Sequence, residues 1–118
     1  MAIDFSIPIY GGTVRLITST EEYIEEADSD CDCECKGLAE MVPGETADGG
    51  NIYLVGIFDS SATTLVHELS HTALNVISRA GFSAHDGNGE PFSYLLDYFF
   101  QSATQLLKEA EGTIKWSI

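Results

Sequence analysis

The chain has 118 residues, 44% of them hydrophobic, a size and composition that suit one globular domain, 1–118, with a modest core. Five Lys and Arg stand against nineteen Asp and Glu, a formal net charge of −14, so the surface should repel nucleic acid and anionic membrane and attract basic proteins or metal cations. No apolar run approaches the length of a membrane span, and residues 1–10 lack the basic start and long apolar core of a secretory signal.

Ile3, Phe5, Ile7 and Ile9 alternate with other residues, which predicts a first strand within 1–10, with Pro8 placing it at a sheet edge. Gly11 and Gly12 supply a turn, and 13–18 reads as the antiparallel partner with Val14 and Leu16 inward. Ser19 with Glu22 fits a capping box, so a short acidic helix is expected over 20–27.

The stretch 28–36 carries Cys31, Cys33 and Cys35. Alternate spacing points successive thiols the same way on an extended chain without enclosing an ion, and structural zinc loops usually have two residues between ligands. An odd number of cysteines without a signal segment reads as free thiols in a reducing cytoplasm, in an acidic loop, with adventitious or regulatory metal binding and a thiolate that blocks the motif's metal as the alternatives. A short strand over 37–42 and a loop over 43–50 follow. Residues 51–58 form the strongest strand, apolar on both faces: Ile52, Leu54 and Phe58 on one, Tyr53, Val55 and Ile57 on the other. Such a strand belongs in the middle of a sheet covered on both sides.

A helix is expected over 61–80, with N-cap oxygens from Asp59, Ser60 or Ser61, an apolar stripe from Leu65 to Ala80, and Arg79 then Gly81 at its end. This helix carries His67-Glu68-x-x-His71. Residues four apart share a helix face, so the two imidazoles can meet a single ion, while Glu68 is one step round, able to reach a water beside that ion. A third ligand is sought among His85, Asp86, Glu90 and Asp97; Glu90 is favoured because Asn88-Gly89-Glu90-Pro91 reads as a helix start, where a charged carboxylate is stabilised. A second long helix is expected over 91–110, with Phe92, Leu95, Leu96, Phe99, Ala103, Leu106 and Leu107 as core and Gly112 as its stop; the tail 114–118 alternates as a further strand would. His85 in the loop 82–89, and Tyr94 and Tyr98 near the Glu90 face, are candidate proton donors, weighed against an exposed loop histidine and core aromatics.

His67-Glu68-x-x-His71, then eighteen residues, then Glu90 on a following helix resembles the gluzincin clan of zinc metallopeptidases. The wording HELSHTALNVISRAGF followed by DGNGEPFSYLLDYFF is also similar to small metallopeptidase-like proteins of bacteriophages, over roughly residues 50–105. The resemblance implies Zn2+ held by His67, His71 and Glu90, with Glu68 as general base, and an edge strand near the motif helix that pairs with an extended substrate. The larger enzymes carry an acid one turn beyond the ligand glutamate; here that position is Tyr94, and the next acid on the face is Asp97.

The expected fold is therefore α+β, a small, mostly antiparallel sheet of three to five strands packed against two long helices that bear the site. The expected function is zinc-dependent hydrolysis of peptide bonds in a peptide or protein substrate. The alternative is a non-catalytic acidic binding protein that engages a basic host protein by charge mimicry.

Overall fold

A computed structural model describes residues 2–27, 35–42 and 50–111. Four strands form one sheet in the order β1-β2-β4-β3: β1 (Ala2–Ser6), β2 (Thr13–Ile17), β3 (Gly37–Val42) and β4 (Ile52–Ile57). Three helices accompany them, α1 (Thr20–Ala27), α2 (Ala62–Arg79) and α3 (Glu90–Glu111), and a short 3-10 turn, Asp86–Gly89, leads into α3. The α+β class and the two long helices are as expected. The β1/β2 and β3/β4 pairs are antiparallel, while the central β2/β4 pair is parallel.

β4 is central, and the two apolar faces read from its sequence separate as that alternation requires. Tyr53, Val55 and Ile57 join Val14 and Leu16 beneath α2 and α3, where Leu65, Leu69, Ala73, Leu95, Phe99 and Ala103 complete the main core. Leu54 and Ile17 face the other way, toward Tyr23 of α1, with Phe58 alongside; the Tyr23 and Phe58 rings meet edge to face at 5.7 Å. The sheet is thus a middle layer, with the long helices on one side and the short one on the other.

The first strand is shorter than its alternating pattern. β1 ends at Ser6, and Ile7 to Gly12 form the connection, closed by a bond from the Ile7 amide to the Gly12 carbonyl. Ile7 turns into the core, whereas Ile9 stands in solvent with a φ of 71°. Period-two alternation runs past the strand because Pro8 has no amide to give to the ladder.

Local capping explains where α2 starts and stops. Ser61 is the N-cap, its Oγ accepting from the Thr63 and Thr64 amides at 3.1 and 3.5 Å. Asp59 supports it, accepting from the Ser61 amide at 3.0 Å and the Thr64 hydroxyl at 2.8 Å. At the other end the Phe82 amide reaches the Ile77 carbonyl and the Gly81 amide that of Ser78, with Gly81 at φ 93°: a Schellman ending that requires glycine's left-handed backbone. The Glu22 amide likewise donates to Ser19 Oγ, starting α1.

No helix among the described residues is long and apolar enough to cross a membrane. Cys31 and Cys33, the loop 43–49, the Gly112 stop and the tail 114–118 lie outside the described residues.

Candidate metal centre

The site is built on the N-terminal half of α2, where the helix crosses the edge of the sheet. Glu68 points inward and is only 9% exposed, between Thr64 at 8% and Thr72 at 3%. His67 and His71 stand on the adjoining, exposed strip. Their Nε2 atoms approach to 3.3 Å, with the rings nearly perpendicular at 79°. The Glu68 carboxylate joins them, so that one ligand atom from each of the three residues lies within 4.8 Å of the others.

The separation of 3.3 Å bears directly on what the pair can hold. Two nitrogens bound at about 2.05 Å to a tetrahedral zinc stand about 3.3 Å apart, so the imidazoles already span one edge of that tetrahedron. Glu68 adds a second sign. Among the described residues nothing donates a hydrogen bond to its carboxylate, which opens onto the groove beside the histidines. A cation and its water beside the histidines would supply what the protein does not.

What lies against Glu68 is the start of β3. Gly37 sits so close to α2 that a Cβ there would stand 2.6 Å from Thr64 Cγ2 and 3.0 Å from Glu68 Cγ. The backbone of an edge strand therefore passes the carboxylate with no side chain between them. Lys36, Gly37, Asp59, Thr64, His67 and Glu68 line an open groove of about 630 Å³. Neither Lys36 nor Gly37 stands out in the sequence, because nothing local marks a glycine whose constraint comes from helix residues twenty-seven and more positions away.

The other candidates are elsewhere. Glu90 begins α3, with helical φ −61° and ψ −47° in spite of Pro91 after it. It is exposed and is not a member of the gathered group; it lines a groove with the β1–β2 connection and with Tyr94 and Tyr98. That connection leaves β1, at the sheet edge opposite β3. Tyr94 and Tyr98 thus share the Glu90 face, as expected, but that face is turned to this second groove. Asp97 is exposed on α3, and His85 is exposed just before the 3-10 turn. Among the described residues, His67 and His71 have only each other as side-chain partners, so no acid or tyrosine orients either ring.

The chain matches no family model, no curated protein and no solved structure.

Proposed function

We propose that this chain is a zinc-dependent peptide hydrolase in which His67 and His71 hold the metal and Glu68 is the general base. The observation that carries the reading is the approach of the two Nε2 atoms to 3.3 Å beside a buried carboxylate on the same helix. Zinc in such a site lowers the pKa of water toward neutrality and polarises a carbonyl. The residues of the chain then place the substrate and move the proton. Glu68 takes the proton of the attacking water and passes it to the departing amine.

The outer edge of β3 is the natural place for the substrate backbone. It is the sheet edge beside α2, no described strand pairs beyond it, and Gly37 leaves its backbone open toward Glu68. An extended peptide added there would gain main-chain hydrogen bonds and present successive carbonyls along the Glu68 groove. Glu90, the third ligand implied by the resemblance, has no part in this geometry; the reading rests on two histidines and open positions for water and substrate.

The test is metal content by mass spectrometry on protein purified without chelator or metal resin, beside His67→Ala, followed by cleavage of a peptide library with Glu68→Gln as control. One zinc per chain, absent from His67→Ala, together with cleavage that Glu68→Gln abolishes while keeping its zinc, is the expected result. A Glu68→Gln protein with full hydrolytic activity would sink the assignment of the base.

The charge of −14 favours a second reading, an acidic binding protein for a basic partner. In that case partner capture weakens steeply with salt and is indifferent to Glu68→Gln.

A further inference from the structure

The outward face of α2 differs in charge from the other helices. α1 carries Glu21, Glu22, Glu25 and Glu26, and α3 exposes Asp97, Lys108 and Glu109. In all of α2 the charged side chains are Glu68, which points inward, and Arg79, in the last turn. The strip between them is uncharged and runs through Val66, His67, Ser70, His71, Leu74 and Ser78. Val66 is 38% and Leu74 40% exposed. Ser70 already donates its hydroxyl to the Val66 carbonyl at 2.7 Å, so covering the strip strands no serine donor.

The histidine pair stands in the middle of this strip and spans one edge of a zinc tetrahedron. Of the sequence candidates for a further ligand, Glu90, Asp97 and His85 are not in the group gathered around the pair. The corners that face outward are therefore open to another molecule.

We infer that, when zinc is scarce, two copies of the chain share one ion, His67 and His71 of each copy supplying two of its four ligands, and that this dimer is a latent form of the hydrolase. The inference rests on the histidine pair as the zinc site. A catalytic zinc keeps a position for water, whereas a zinc with four protein ligands is closed. Four imidazoles leave no place for water or a substrate carbonyl, so the shared ion cannot hydrolyse a peptide. Protein that holds one zinc per chain is the open form. The contact is self-complementary, since a two-fold rotation brings up the same two histidines from the other side. Charge argues for a second copy over a basic partner on this face. The strip offers a cation no exposed carboxylate, while two chains of −14 that repel elsewhere can meet where neither is charged.

Native mass spectrometry tests this, because it counts chains and ions in the same species as zinc acetate is added to the metal-free full chain. Below one zinc per two chains, the zinc-bearing species should be two chains with one ion; in excess zinc it should be one chain with one ion. His67→Ala should form neither. Ser70→Arg and Leu74→Arg place bulk and charge beside the histidines without offering a zinc ligand. Each should keep one zinc per chain in excess zinc and weaken the dimer about tenfold or more in sedimentation. Salt screens the repulsion between two acidic chains, so the dimer should tighten as ionic strength rises. Single chains with one zinc at every ratio would overturn the inference and leave the metal site standing. No zinc on any species would remove both. A dimer that survives chelation, or that neither substitution weakens, would place the contact on another face and overturn the inference as well.

Discussion

His67 Nε2 and His71 Nε2 face each other at 3.3 Å across one turn of α2, the length of one edge of a zinc tetrahedron. The arrangement needs only the four-residue spacing and a straight helix, and Ser61 and Gly81 cap that helix at its two ends. In the proposed site each histidine supplies half of the grip on zinc, so His71→Ala should lose zinc as completely as His67→Ala. Calorimetric titration of zinc into each variant checks this. Retention of tight zinc by either would place the ion elsewhere.

Glu90 separates two accounts of the same motif. Its helix-start context and the family resemblance favour it as the third ligand, whereas the fold sets it against Ile9 and Tyr94. If the fold decides, Glu90→Gln keeps one zinc per chain, with affinity within about threefold of the parent, well short of the loss expected on disturbing even an outer partner of a ligand. Loss of zinc in that variant would restore Glu90 to the metal.

The contrast shows which parts of the site are legible in sequence. His67, Glu68 and His71 lie within two helical turns, so local periodicity alone brings them together. The strand faces are legible for the same reason: Tyr53, Val55 and Ile57 versus Leu54 follow from alternation, and their cores are those the structure shows. Glu90 depends on how α3 docks after a loop, and its placement beside Pro8–Tyr10 is a property of the tertiary fold. Gly37 is the same kind of case, ordinary in sequence and constrained only because α2 lies on it. The first strand is shorter than its sequence pattern, because Ile9 keeps the alternation going after the ladder has ended at Ser6.

Arg15 joins three elements. Its Nε is 2.8 Å from Asp4, its cross-strand partner on β1, and its Nη1 is 3.0 Å from Glu26 on α1. The hydrogen bond to Asp4 holds the guanidinium even further above its already high pKa, so it stays charged throughout the stable range and adds no pH dependence of its own. Both acids are more than a third exposed, at 43% and 39%, so screening limits the benefit. Arg15→Met should cost about 1 kcal/mol in total, a loss that fades near 0.5 M salt. Urea melts at low and high salt measure it; a salt-independent loss would mean that packing matters more than charge.

The cap of α2 gives a separate stability test. Ser61→Ala removes the acceptor of the Thr63 and Thr64 amides and should cost about 1 kcal/mol by denaturant unfolding. Asp59→Ala should cost a similar amount, since it strips the Ser61 amide and the Thr64 hydroxyl of their acceptor. The two losses should add to less than their sum, because both side chains fix the same turn.

Gly37 connects fold to chemistry most directly. Gly37→Ala would put a methyl 2.7 Å from the Gly56 carbonyl oxygen, which the β3/β4 ladder holds in place, and 2.6 Å from Thr64 Cγ2. The Gly56 contact forces the start of β3 to shift on β4 and the Thr64 contact forces β3 and α2 apart at Thr64 and Glu68, at a cost of about 1–3 kcal/mol and a melting temperature lower by roughly 5 °C or more. His67 and His71 ride on the same rigid helix, and their mutual distance does not depend on where that helix sits on the sheet. In the proposed hydrolase, zinc content should therefore be unchanged while hydrolysis falls, because the carboxylate has moved relative to the edge strand proposed to carry the substrate. Parallel measurement of zinc, melting temperature and peptide cleavage separates these effects. Undiminished cleavage in a destabilised Gly37→Ala protein would show that β3 has no part in presenting the substrate to Glu68.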